Sequence, residues 1–110
     1  MAMDGIWTFV IPERQGGGVI IARNGKLYGG DIGYFFEGIY SESSSGVQGT
    51  IDVTLFNGHA ALTSIWGDPS QRFKVQFQGT QSGGTIAGRI QRVGMPAQFS
   101  LTLTRRADIP

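Results

Sequence analysis

The stretch Gly25-Lys26-Leu27-Tyr28-Gly29-Gly30-Asp31-Ile32-Gly33-Tyr34-Phe35-Phe36-Glu37-Gly38 decides how this chain folds. Five of its fourteen residues are glycine, and most of the others are aromatic or aliphatic. It is entered through Arg23-Asn24-Gly25-Lys26, an Asn-Gly pair set between the apolar run Val19-Ile20-Ile21-Ala22 and Leu27-Tyr28. Both central residues of a type I′ turn need positive φ, which Asn-Gly tolerates best, so these residues predict a β-hairpin. Gly29-Gly30-Asp31-Ile32-Gly33 then breaks the second strand, since glycine there marks a bulge, a bend or the close approach of another backbone. A new strand runs from Tyr34 to Tyr40, with Tyr34, Phe36, Gly38 and Tyr40 on one face and Phe35, Glu37 and Ile39 on the other. Both faces are largely apolar. One is expected to be core and the other to be covered, so Phe35, Glu37 and Ile39 are the expected dimer or partner surface. Asp31 reads as a turn residue accepting backbone N–H groups, because no second acid or histidine near it suits catalysis.

Outward from this stretch the chain alternates in the same way. Gly5 to Ile11 is a strand that Pro12 ends. Gly16-Gly17-Gly18 reads as a loop or as the bent start of the next strand. Ser41 to Gly46 is a polar turn. Val47 to Phe56 carries Ile51, Val53 and Leu55 inward against Thr50, Asp52 and Thr54. Asn57-Gly58 is a second turn signal, followed by a strand over Ala60 to Trp66 and a turn at Gly67-Asp68-Pro69-Ser70. Three further strands set Phe73, Val75 and Phe77, then Ile86, Gly88 and Ile90, then Phe99, Leu101 and Leu103, against polar partners. Period-two alternation with one polar face is the pattern of antiparallel strands half-buried on a core.

Short strands joined by tight turns pair sequentially, and a meander of about eight loses its exposed edges by pairing first with last. The predicted fold is therefore all-β: one antiparallel up-and-down barrel over residues 1–110, with little or no helix. A two-sheet sandwich satisfies the same pattern, but the tight turns favour the barrel. At about eight strands the interior is either filled or holds one small ligand. The inward set Phe36, Val53, Leu55, Phe73, Val75, Phe77, Ile86, Phe99, Leu101 and Leu103 is the expected cavity lining, with Gly38 and Gly88 leaving room.

Composition agrees and bounds the function. Eighteen glycines, seven Phe, three Tyr and two Trp suit a tightly turned β-domain, and no stretch has sustained helical periodicity. Cysteine is absent, which excludes disulfides and thiolate metal sites. His59 is single and beside a turn, so no histidine cluster, catalytic triad or metal site is expected. Gly-rich loops precede no helix and so do not predict a phosphate cradle. No enzyme and no cofactor is predicted. Met1 to Gly5 lacks a basic leader and the following apolar run is too short to span a membrane, so the expected location is cytoplasmic. The net charge of +1 is unevenly placed. Residues 69–106 hold Arg72, Lys74, Arg89, Arg92, Arg105 and Arg106 and no acid, which reads as solvated charge or as a basic face for an acidic partner or nucleic acid.

Two resemblances add to this. Gly5-Ile6-Trp7 with Arg105-Arg106 near the end resembles the Gly-x-Trp and late-arginine pairing of lipocalin-like barrels. That likeness implies a guanidinium stacked on Trp7, closing the barrel. Asp4-Gly5-Ile6, Gly18-Val19-Ile20-Ile21 and Gly25 to Asp31, with Tyr34 and Gly38, resemble the GrlR family, bacterial negative regulators of type III secretion gene expression. The likeness covers residues 4 to about 40, and more loosely Gly67, Phe77-Gln78-Gly79 and Leu101 to Arg106. It implies a lipocalin-like homodimer around an apolar cavity, which holds down transcription by binding a helix-turn-helix activator protein and not DNA. The short run of alternating Glu and Asp with which the family's characterised type engages its activator does not occur here. Two readings remain: a regulatory protein-binding module, or a carrier or sensor of a small apolar ligand.

Overall fold

A computed structural model describes residues 3–14, 16–44, 46–56 and 71–110. Eight strands form one closed antiparallel barrel in sequence order: β1 (Gly5–Ile11), β2 (Gly16–Arg23), β3 (Lys26–Gly30), β4 (Tyr34–Ser43), β5 (Gly46–Leu55), β6 (Arg72–Ser82), β7 (Thr85–Arg92) and β8 (Gln98–Ala107). Their only helical companion among the described residues is a 3-10 turn at Pro12–Arg14. The turn expected at Asn57-Gly58, His59, the strand expected over Ala60 to Trp66 and the turn at Gly67 to Ser70 lie outside the described residues. The up-and-down barrel is the expected fold.

Local chemistry sets the connections. Asn24 and Gly25 have φ of 51° and 83°, the left-handed pair that joins β2 to β3 in two residues. Gly83-Gly84 is a second two-residue link, between β6 and β7, and β4 and β5 extend further into the Ser41–Gly46 stretch than its polar character suggests. Gly16 to Gly18 belong to β2 and are not a loop. A β-carbon at Gly18 would overlap the Gly30 carbonyl oxygen and stand 2.9 Å from the Phe9 ring, so glycine lets β1, β2 and β3 close up there.

β1 pairs with β8 and shuts the barrel, with a bulge that opposes Ile6 to Ala107 and Trp7 to Arg105. The extra residue, Arg106, turns outward, where its Nε donates to Thr8 Oγ1 at 2.8 Å. Pro12 then ends β1, but β8 continues. The edge this exposes is satisfied by Glu13, whose carboxylate accepts the Ser100 N–H (2.9 Å) and hydroxyl (3.1 Å). Desolvation pushes the Glu13 carboxyl up, but these bonds and the charge of Arg89 outweigh it and hold it below its usual range.

The two ends of the barrel differ. At the end where β1 begins, Met3, Trp7, Leu27 and Ile86 are fully buried. The Trp7 indole N–H donates to the Met3 carbonyl at 2.9 Å, and Arg105 lies over the ring with its guanidinium carbon 5.8 Å from the centroid. A β-carbon at Gly5 would stand 2.8 Å from that guanidinium, so glycine there leaves the cation its place. Asp4 latches this end from outside, accepting from the Asn24 backbone N–H (3.1 Å) and the Tyr40 hydroxyl (2.9 Å).

The latch has a pH signature. The Tyr40 bond holds the Asp4 carboxyl below its usual range, while burial and that same bond push the Tyr40 phenol up to about 12. A raised phenol pKa means the folded state favours the protonated form. Its contribution is therefore complete below the ordinary value near 10 and lost as pH rises towards 12. A tyrosinate absorbance step near 12 is expected to vanish in Tyr40→Phe. A titration curve unchanged by that substitution contradicts the latch.

Candidate functional site

The opposite end, where β1 finishes and β2 begins, opens on an apolar cavity of about 210 Å³. Its wall is built by the inward set that period-two alternation selects: Phe36, Val53, Phe73, Val75, Phe77, Leu101 and Leu103 all line it. Phe9, Ile11, Ile20, Leu27, Ile51 and Ile90 complete the wall, and Met3 lies at its base. Phe9 meets Phe36 edge-on at 5.7 Å, and Tyr34 meets Phe73 edge-on at 5.9 Å. The cavity is larger than the ~150 Å³ that stays dry and admits benzene, and smaller than the roughly 300–1,000 Å³ of drug-sized sites.

Four expected lining residues do not border it, and the first of them, Ile86, is fully buried at the closed end. Leu55 is the last residue of β5 and donates its N–H to the Gln71 carbonyl at 2.7 Å, above the wall. Phe99 is buried at the start of β8, beneath the guanidinium of Arg14 at 5.1 Å. Gly88 leaves no room: a β-carbon there would overlap the Gln78 carbonyl oxygen and stand 2.6 Å from Gly79 Cα. Gly38 is equally tight, facing the Thr50 carbonyl oxygen and Ile51 Cα at 3.0 Å. These glycines serve strand-to-strand contact, not ligand space.

Asp31 borders the mouth of the cavity. Its Oδ1 accepts the backbone N–H of Gly33 (2.9 Å) and Tyr34 (2.8 Å), and its own N–H donates to the Tyr34 carbonyl (2.9 Å). It is the turn residue the sequence implies. Arg92, the last residue of β7, lies over the wall residue Phe73 of β6, its guanidinium carbon 4.5 Å from the ring centroid.

Outside the barrel, Phe35 and Ile39 are 39% and 65% exposed, with Glu37 exposed between them. Register widens the patch beyond β4. Tyr28 on β3 opposes Glu37, Ile21 on β2 opposes Tyr28, and Val19 joins through Gly30, which opposes Phe35. Val19, Ile21 and Tyr28 are exposed too, so one apolar stripe crosses β2, β3 and β4. Arg23 and Lys26 stand at its edge, Lys26 opposing Ile39. The sequence pointed to the β4 part alone, because only register brings β2 and β3 beside it. The remaining outer face, on β5 to β8, is polar, with Lys74, Gln76, Gln78 and Arg89 exposed.

Of the two arginines expected at the closure, Arg105 stacks on Trp7 and Arg106 does not. Among the described residues no three His, Asp or Glu side chains gather as a metal site, and no helix is long and apolar enough to cross a membrane. Fold and site together define a class: a closed eight-stranded β-barrel with an apolar cavity and an apolar outer stripe. Comparison with known proteins found no matching family model and no matching curated sequence.

Proposed function

We propose that this chain is a non-enzymatic binding module that acts as a homodimer and regulates by contact with another protein. The observation that carries this reading is the exposed stripe Val19–Ile21–Tyr28–Phe35–Ile39, contiguous across β2, β3 and β4. Contiguous apolar patches of this kind mark association surfaces. The stripe holds an acid, Glu37, beside two bases, Arg23 and Lys26, so the same patch on a second copy complements it across a two-fold axis. The residues shared with the GrlR family support a specific role, negative control of type III secretion transcription through a cytoplasmic activator protein and without direct contact to nucleic acid. The charged and amide side chains exposed on β5 to β8 interrupt the apolar band a membrane barrel requires, which supports a soluble module.

Phe35→Glu and Ile39→Glu each place a charge in the stripe without touching the core. Sedimentation velocity is expected to show the dimer shifting to monomer in both variants. An unchanged mass in both removes the stripe as the interface.

The cavity favours a second reading, compatible with the first: the barrel holds one small apolar ligand. Its wall is predominantly apolar, and Gly16-Gly17 and Asp31-Ile32-Gly33 border it at the open end. Ile32 is 81% exposed on that rim.

A further inference from the structure

The outer face of β5 to β8 holds a groove that neither the cavity nor the stripe accounts for. It encloses about 450 Å³, within the roughly 300–1,000 Å³ of small-molecule sites. Register builds it from two rows of outward residues that cross the sheet. One row is Thr50, Gln76, Gln91 and Gln98, and the other is Gln48, Gln78 and Arg89. Five of these seven side chains are glutamine. The rows Thr54–Arg72 and Asp52–Lys74 separate the groove from the mouth end of β5 and β6. On the other side Ile39, the β4 end of the outer stripe, opposes Thr50, so the groove starts where the stripe stops.

Part of this amide set is already oriented. Arg89 Nε donates to Gln98 Oε1 at 3.1 Å, Gln98 Nε2 to Gln91 Oε1 at 3.3 Å, and Gln91 Nε2 to the Met95 carbonyl at 2.8 Å. A primary amide has two N–H donors and two acceptor lone pairs, so Gln91 and Gln98 each keep one of both beyond this relay. Gln48, Gln76 and Gln78 make no side-chain hydrogen bond with any described residue. Arg89 is the one charged side chain among the described residues that border the groove.

We infer that this groove binds a linear, uncharged oligosaccharide laid across the strands. A hydroxyl is donor and acceptor at once, and so is a glutamine amide, so a row of amides matches a row of hydroxyls group for group. A polyanion such as nucleic acid needs several cations along its path, and the bordering residues supply Arg89 alone, with its Nε given to Gln98. Neighbouring strands lie about 4.8 Å apart, close to the advance of one pyranose ring along an extended chain. Successive sugars therefore meet Thr50, Gln76, Gln91 and Gln98 in turn. The relay holds the last two amides in place before the sugar arrives, which lowers the ordering that binding must impose.

The test is NMR titration of the intact chain with cellobiose and with cellotetraose, followed on the glutamine side-chain NH2 signals. Cellotetraose is expected to shift the signals of Gln76, Gln91 and Gln98 and to bind about tenfold more tightly than cellobiose, the increment of one or two further net hydrogen bonds. Gln76→Ala is expected to weaken cellotetraose about fivefold with the melting temperature unchanged, because that side chain bonds to no described residue. Glutamine signals that stay still at millimolar cellotetraose overturn the inference, as does equal affinity for the two sugars or full affinity in Gln76→Ala. Shifts produced by a tetra-aspartate peptide and not by cellotetraose also overturn it and make the groove a peptide site.

Discussion

Trp7→Ala is expected to lower the unfolding free energy by about 3–5 kcal/mol, the range for deleting a fully buried large aromatic ring. Against a typical total of roughly 5–15 kcal/mol, such a loss removes much of the stability of the barrel. Three contacts fail together. The ring leaves a void between β1 and β8, the buried Met3 carbonyl loses its donor, and Arg105 loses the surface it rests on. The salt bridge from Arg105 to Asp108 (2.6 Å) does not compensate, because Asp108 is almost wholly exposed and exposed pairs contribute about 0–1 kcal/mol. Urea denaturation measures the loss directly, and Trp7→Phe, which keeps most of the ring, is expected to cost clearly less. A loss below about 1 kcal/mol for Trp7→Ala contradicts the closure of the barrel at this end.

Gly88→Ala is expected to be nearly as damaging, although it adds a single methyl group. The new carbon meets backbone on every near contact: the Gln78 carbonyl oxygen, Gly79 Cα at 2.6 Å and the Gln78 carbonyl carbon at 2.8 Å. No rotamer relieves such an overlap, so β6 must move away from β7 and their hydrogen bonds lengthen. The expected cost is about 3 kcal/mol, at the upper end of overpacking effects. Gly84→Ala is the matched control, because its β-carbon meets only Arg105 Cβ at an ordinary 3.8 Å. It is expected to stay within about 0.5 kcal/mol of wild type. Similar stabilities for the two variants contradict the tight β6–β7 approach.

These two sites also show what the sequence could and could not convey. Trp7 and the late arginines were legible as a pair only through the resemblance to the Gly-x-Trp and late-arginine pairing of lipocalin-like barrels. Which arginine stacks was not, since that depends on the bulge between Ile6 and Trp7. Gly88 was legible as an inward position but misread as open space. Alternation gives the direction of a side chain and says nothing of how near the neighbouring backbone comes. The same limit applies to Gly16 to Gly18, where a cluster that resembles a loop is a strand pressed against its neighbours. Asp31 was read correctly because its partners, the Gly33 and Tyr34 amides, are two and three residues away.

The candidate site divides along the same line. Period-two patterning found most of the cavity wall, because every inward side chain shares one interior. It did not find the depth of the cavity, which is fixed by Met3, a residue outside any strand. Nor did it find the cation stacked on the wall residue Phe73. Arg92 reaches Phe73 across two paired strands, and that register is invisible until β6 and β7 are aligned. The outer stripe was half legible for the same reason: Phe35 and Ile39 stood out on one strand, while Tyr28, Ile21 and Val19 join them only through the sheet.

The central claim is that the stripe on β2 to β4 joins two copies of the chain. Native mass spectrometry of the intact protein at micromolar concentration tests it most directly. The account predicts a dominant species at twice the 11.8 kDa chain mass, and a spectrum holding only the 11.8 kDa monomer contradicts it.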